Sequence, residues 1–249
     1  QMADRTLDGS AGQAEPQKTE RIPAFDYLRS FGVLLVLLHH AVLAYVTFGF
    51  LNPEDPTGTF SPIVDSAKWA GFDLIVLLND TFFMPLLFFV SGLFVWRSLE
   101  RKSAARFLLG RLTRLGIPFL IGVVVLIPVA YYPTMLEIEL VHGVSQSFGE
   151  FWIDFAQRGF APPGPLWFLW LLLAFDCLAA LSHLIFRRTG GGSNRRSNSV
   201  LDNSLLFALA LIGLSFAAYL PMRSAFAPGQ WLGIGAFEME IVRVFVYLL

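Results

Sequence analysis

The chain has 249 residues, of which 55% are hydrophobic and only 15% charged, with 25 phenylalanines and one cysteine. Its mean hydropathy is +0.60, and soluble domains run nearer ~25% charged, so an ordinary soluble domain is excluded, as is an internal disulfide framework. The net charge of −1 excludes no partner, because the charges segregate by loop.

Residues 1–20 are polar and almost free of large apolar side chains, which predicts a disordered tail. Residues 21–249 read as one transmembrane domain. The first apolar run is long and has no small-residue cleavage site after it, so it is not read as a signal peptide. Five complete spans are predicted, at Ser30–Leu51, Phe72–Trp96, Leu115–Pro133, Pro165–Phe186 and Leu205–Leu220, each near the ~20 residues a helix needs to cross hydrocarbon. A sixth begins near Trp231 and is truncated: Ile241–Leu249 is still apolar, and with Gln at position 1 this predicts a fragment of a longer protein. The runs lack the alternation of a membrane barrel. The fold class is therefore all-α, a polytopic transmembrane helix bundle.

Connections of opposite charge alternate. The second carries Arg97, Arg101, Lys102, Arg106, Arg111 and Arg114 against Glu100, and the fourth carries Arg187, Arg188, Arg195 and Arg196. The first holds Glu54, Asp55 and Asp65 against Lys68; the third holds Glu137, Glu139, Glu150 and Asp154 against Arg158. By the positive-inside rule the N-terminus is cytoplasmic, with Arg223 in the fifth loop a mild exception. Phe148, Phe151, Trp152 and Phe155 predict an amphipathic helix on the outer face. Cys177 is read as helix packing, and Gly190–Ser193 as a flexible linker. No His or Cys pair has the spacing of a helical metal-ligand pair, so no metal is expected. The basic clusters sit beside spans, so no nucleic-acid partner is expected; the bilayer is.

The stretch FDYLRSFGVLLVLLHH, Phe25 to His40, carries the chemistry. Arg29 and His40 are eleven positions apart, which at ~100° per residue puts them on one helix face, separated by ~16 Å of rise. Arg29 belongs at the cytoplasmic mouth and His40 near mid-membrane. Intramembrane ionisable residues are functional by default. An anionic head would stay at Arg29, and a reactive tail would reach His40, whose titration range suits acid–base work. Arg29 is equally well read as topology signalling. His39, ~80° to one side, is read as a helix–helix hydrogen bonder.

Arg29, ten residues, then His40 resembles the signature of the membrane acyltransferase type 3 family. FFMPLLFFVSGLF (Phe82–Phe94), GRLTRLGIPFLIG (Gly110–Gly122) and GPLWFLWLLL (Gly164–Leu173) are similar to further segments of that family, in family order. The branch containing the succinyltransferase of periplasmic glucans is the most similar. The resemblance implies an inner-membrane enzyme with roughly twice as many helices as are present here. It would take an acetyl or succinyl group from cytoplasmic acyl-CoA, the donor substrate, and place it on a hydroxyl of a carbohydrate or other extracytoplasmic acceptor, with no tightly bound cofactor. His40 would be the general base or a transient acyl carrier, and Arg29 would hold the donor.

The remaining candidates each keep two readings. Asp26 either orients Arg29, three residues on, or is a helix-start acid. Ser91, beside Gly92, is placed with the donor site, where it would be a nucleophile without a sequence-local base, or serves helix packing. Arg97, Arg111 and Arg114 bind CoA phosphates or signal topology and touch anionic lipid. Asp80, with Asn79, contacts the acceptor or marks a polar kink. Trp167 stacks on sugar or belongs, with Trp170, to an interfacial belt. The alternative function is a proton-coupled carrier with a histidine relay, which should show internal repeats and broken helices.

Overall fold

The computed structural model describes residues 23–143, 145–188, 204–227 and 229–248; the predicted tail at 1–20 and the Gly190–Ser193 linker lie outside the described residues. Among the described residues, five helical stretches are long and apolar enough to cross a membrane: Pro23–Tyr45, Ala70–Arg101, Ala104–His142, Gly164–Arg188 and Leu205–Ala225. The all-α polytopic bundle expected from the sequence is the architecture observed.

The first crossing differs from its predicted bounds. Helix α1 runs Pro23–Val42 and passes into a single 3-10 turn at Leu43–Tyr45, rather than from Ser30 to Leu51. Pro23 suits a helix start, where its missing N–H is not needed. The far end stops early because α2 (Ala70–Gly92) captures the chain leaving it. Asp73, in the first turn of α2, accepts hydrogen bonds from the backbone N–H and hydroxyl of Thr47, and Trp69 N–H donates to the Tyr45 carbonyl. Val42, Val46 and Val76 then pack together.

Helices α1 and α2 pair along most of their length. At Gly32 an added Cβ would lie 2.6 Å from Leu87 Cδ2, so this crossing needs the glycine. Asn79, buried, donates from Nδ2 to the Leu35 carbonyl at 3.1 Å. A turn at Leu93–Phe94 separates α2 from α3 (Val95–Arg101).

The third crossing is one continuous path through α4 (Ala104–Arg111), α5 (Ile117–Ile121) and α6 (Ile127–His142), with π-helical turns at Leu112–Gly116 and Gly122–Leu126. Each π turn precedes a proline, Pro118 or Pro128, which has no N–H for the carbonyl four residues back. The carbonyl freed by Pro128 is that of Val124, and Trp152 Nε1–H donates to it at 2.8 Å. Trp152 belongs to α7 (Phe148–Gln157), whose start is closed by a reciprocal Ser147–Glu150 capping box. As predicted, α7 is amphipathic. Its Phe151 and Phe155 are buried against Ile127, Tyr131 and Met135 of α6.

Helix α8 (Trp167–Arg188) closes the core, where Leu171 and Leu172 meet Phe83, Met84, Phe88 and Tyr247. Cys177 is exposed rather than packed; the inward positions of α8 are taken by its neighbours Asp176 and Ala180. Helix α9 (Ser204–Ala225) follows. The sixth run does not begin as a span. Trp231–Ile234 (β1) and Phe237–Glu240 (β2) form an antiparallel hairpin with Trp231 opposite Glu240, and helix resumes only at α10, Val244–Leu248. A continuous helix would have carried Glu238, Glu240 and Arg243 into hydrocarbon, at high cost. The hairpin instead docks by Ala236 N–H on the Gly159 carbonyl (2.8 Å) and by Trp170 Nε1–H on the Glu238 carbonyl (3.0 Å).

The charge pattern survives folding. Arg97, Arg101, Arg106, Arg187 and Arg188 belong to the helix ends of one face, the basic face. The 43–69 loop and α7 belong to the opposite, acidic face. There Arg158 bridges Asp55 (Nη1–Oδ2 2.9 Å) and Asp154 (Nη2–Oδ2 3.0 Å). Burial works against ionisation of Asp55, but hydrogen bonds from Thr57 and the Arg158 charge outweigh it and hold the carboxyl below its ordinary 3.8. With the folded-state value depressed, this clasp contributes fully above the unfolded-state value and is lost as pH falls through the folded one. Arg158→Ala is therefore expected to lower the unfolding temperature by the same amount at pH 6 and pH 8, with the difference starting to shrink only below about pH 4 and lost as pH falls through the lower folded-state value. Thermal unfolding in detergent across that range checks it, and a difference that persists at low pH would refute the clasp.

Candidate active site in the bundle

A cavity of about 220 Å³ lies between α1, α2, the head of α8 and the hairpin. Its walls include Val36, His39, His40, Asp80, Trp167, Trp231, Glu240, Arg243 and Tyr247. His40 is two residues from the end of α1. It is nonetheless level with the middle of α2, because α1 ends short while α2 continues past it. In the candidate span Pro23–Tyr45, His40 stands five residues from the far end, and its ring is exposed.

The two histidines do different work. His39 is buried between α1 and α2, its ring 5.1 Å from that of Phe83 and its Nε2 3.8 Å from Asp80 Oδ1. It lies between the two helices as expected but does not make the expected hydrogen bond: Nδ1 has no partner, and 3.8 Å to Asp80 is too long for one. The His40 Nδ1 lies 2.8 Å from the Val36 carbonyl. A carbonyl only accepts, so Nδ1 carries a hydrogen, and in the neutral form of the ring Nε2 is then the nitrogen that can accept.

The hairpin delivers the opposite wall. Glu240 ends β2, Arg243 lies in the following turn, and Tyr247 is in α10. Arg243 Nε is 3.4 Å from Glu240 Oε2. Trp167 and Trp231 meet edge to face at 5.6 Å. Aromatic rings beside carboxylates that accept hydroxyl hydrogens form a surface suited to a sugar. Tyr247 also lines two neighbouring cavities, of about 360 and 500 Å³, so one ring forms a wall common to all three.

Of the residues singled out in the sequence, His40, Asp80 and Trp167 converge on this cavity. Asp26 and Arg29 do not line it. They pair with each other at 3.9 Å nearer the start of α1, both exposed, with the Arg29 guanidinium 4.9 Å from the Phe94 ring centroid. Ser91 is half-buried near the end of α2. Arg97 and Arg114 are exposed. Arg111 turns inward, with Nε 3.3 Å from Oδ2 of the buried Asp176, and its guanidinium lies over Phe107. Sequence reading missed Glu240, Arg243 and Tyr247. Their spacing within an apolar run was the available signal, and it was absorbed into the predicted sixth span.

No curated protein and no solved structure matches the chain. A family model described as an acyltransferase domain, Acyl_transf_3, matches residues 22–249. With the family model covering residues 22–249 and five candidate spans among the described residues, the chain belongs to this acyltransferase family and is a multi-pass membrane enzyme that transfers acyl groups.

Proposed function

We propose that the protein is an O-acyltransferase that moves an acetyl or succinyl group from cytoplasmic acyl-CoA to a hydroxyl of a carbohydrate or other extracytoplasmic acceptor. In this reading it lies in the cell's inner membrane with a cytoplasmic N-terminus. The observation that supports the reading is the placement of His40: its Nδ1 is tied to the Val36 carbonyl at 2.8 Å, and its ring lines a cavity that also holds two tryptophans and two carboxylates.

In this reading the acceptor hydroxyl sits against His40 Nε2, its ring on Trp167 and its neighbouring hydroxyls on Asp80 or Glu240. As the oxygen attacks the thioester carbonyl, Nε2 takes its proton. The Val36 carbonyl, bonded to Nδ1–H, favours the imidazolium that forms. Collapse of the tetrahedral intermediate expels the CoA thiolate, which takes up that proton and restores the neutral ring. Arg243, facing the histidines, supplies positive charge where the carbonyl oxygen becomes negative.

The test uses inside-out vesicles containing the full-length protein, with acyl-CoA labelled in the acyl group. Label on a carbohydrate or other hydroxyl acceptor, dependent on the protein, supports the reading. Solute uptake without acyl transfer would replace it with the carrier, which the break at Leu93–Phe94 would also suit.

Arg29 enters this scheme as a binding residue at the basic face, with Asp26 holding it in place. Arg29→Ala is expected to raise KM for acyl-CoA by roughly 10- to 100-fold, the worth of a charge-assisted contact, with kcat little changed. Arg29→Lys should recover part of the loss, since a point charge remains but the planar fork does not. A fall in kcat at unchanged KM would remove Arg29 from donor binding.

A further inference from the structure

Three cavities share the Tyr247 ring as a wall, and one fixed cation serves them all. The histidine cavity is lined by two carboxylates, Asp80 and Glu240, and by one guanidinium, Arg243. The cavity of about 500 Å³ repeats Asp80 and Arg243 and adds uncharged residues, among them Thr81, Ser215 and Tyr219. The cavity of about 360 Å³ has Asp176 as its charged residue. Among the described residues, Arg243 is thus the one arginine or lysine that lines any of the three.

That charge is already matched. Arg243 Nε lies 3.4 Å from Glu240 Oε2. The guanidinium also hydrogen-bonds the Tyr247 hydroxyl and feels the charge of Asp80. Glu240 is not free to turn away. It is buried at the end of β2, and its Oε1 accepts from Gly229 N–H at 3.4 Å while Oε2 faces the guanidinium. A charge on His39 would be met by Asp80 at 3.8 Å. His40 must begin neutral to accept a proton.

We propose that the site takes an uncharged acyl group and rejects a dicarboxylic one, so that of the two acyl groups named above it transfers acetyl and not succinyl. The inference rests on the acyltransferase reading and names the acyl group which that reading admits.

A succinyl group carries its carboxylate three bonds beyond the carbonyl. With the thioester at His40, the charge therefore stays within this lining. It would be a third anion facing one cation, and like charges brought together in a partly desolvated site are costly. Were Asp80 protonated, Glu240 would still match Arg243, and the newcomer would still lack a partner. The oxyanion of the transfer step differs. It forms as Nε2 takes the proton, so an imidazolium appears with it and the charge of the cavity does not change. A terminal carboxylate arrives with no such counterpart. An acetyl methyl asks only for apolar wall, which Val36, Met84 and Leu87 supply.

The experiment gives full-length protein in inside-out vesicles equal low concentrations of acetyl-CoA, butyryl-CoA or succinyl-CoA, each labelled in the acyl group. The carbohydrate of the vesicles is the acceptor, and protein-dependent initial rates compare kcat/KM. Butyryl has the four carbons of succinyl and no charge. Succinyl is expected at least ~10-fold below butyryl and further below acetyl. Succinyl less than tenfold below either one overturns the proposal and leaves the acyltransferase reading standing. Butyryl as poor as succinyl would make length the filter, with the same consequence. Transfer from none of the three overturns that reading and this inference with it. Glu240→Gln is the second measurement. It removes one anion, keeps an oxygen for Gly229 N–H and leaves Arg243 unmatched. The succinyl-to-acetyl ratio is expected to rise at least tenfold, with the butyryl-to-acetyl ratio unmoved. Ratios taken within one variant cancel any loss of folded protein, and an unmoved succinyl ratio overturns the proposal.

Discussion

His40→Ala is expected to lower kcat for acyl transfer by ~100- to 10,000-fold, the usual contribution of a positioned general base, with KM for the proposed acyl-CoA donor staying within about twofold. The split follows from where the residue sits. His40 is toward the far end of α1 from Arg29, and in the proposed scheme it would meet the donor only at its reacting end. His40→Gln is the sharper test. Its side chain can still hydrogen-bond within the cavity but cannot accept and hold a proton, so it should be as inactive as alanine. His39→Ala behaves differently. His39 packs against Phe83 between α1 and α2, so its loss shows first as a lower unfolding temperature. If His39→Ala abolished transfer with unchanged stability while His40→Ala did not, the roles assigned to the two rings would be reversed.

Gly235→Ala is expected to cost activity and stability together, because this glycine seats the hairpin. Its φ is +56°, a left-handed conformation that costs an L-residue about 1–2 kcal/mol. A Cβ there would also collide with the Gly159 carbonyl oxygen, which is backbone and cannot rotate away. Displacing the turn moves Trp231, Glu240 and Arg243, the wall opposite the histidines. Transfer should fall at least about tenfold, and the unfolding temperature by several degrees. Gly229→Ala is the control. Gly229 has a similar φ of +72°, but an added Cβ meets nothing within 4 Å, so it bears the strain without the collision. Equal effects of the two substitutions would show that docking on Gly159 is not what holds the wall in place.

The spans were legible because hydrophobic length is a local property of sequence, and the amphipathic helix was legible because its aromatic spacing is local too. That Arg29 and His40 share one helix was legible from counting residues. The end of α1 was not, since it depends on Asp73 reaching back to Thr47 from another helix. The hairpin was hidden for a related reason. Trp231, Leu232 and Ile234 read as apolar whatever their backbone, and only docking on Gly159 and Trp170 makes two short strands stable. Half of the candidate site went unseen with it. Asp80 and Trp167 were each visible as an oddity in its own span, but only packing shows that they face one cavity. Arg111 looked like a topology signal, and its inward turn toward Asp176 depends on a residue 65 positions away.

The hydrogen bond from Trp152 to the Val124 carbonyl also constrains how this sequence can drift. The carbonyl needs an outside donor only because Pro128 withholds the usual one. Losing the indole alone strands a polar group in a low-dielectric interior. Exchanging the proline for an N–H-bearing residue gives the carbonyl a second suitor and loosens the hold on α7. The two positions are thus epistatic: a lineage that gives up the tryptophan does so most safely after it has already given up the proline.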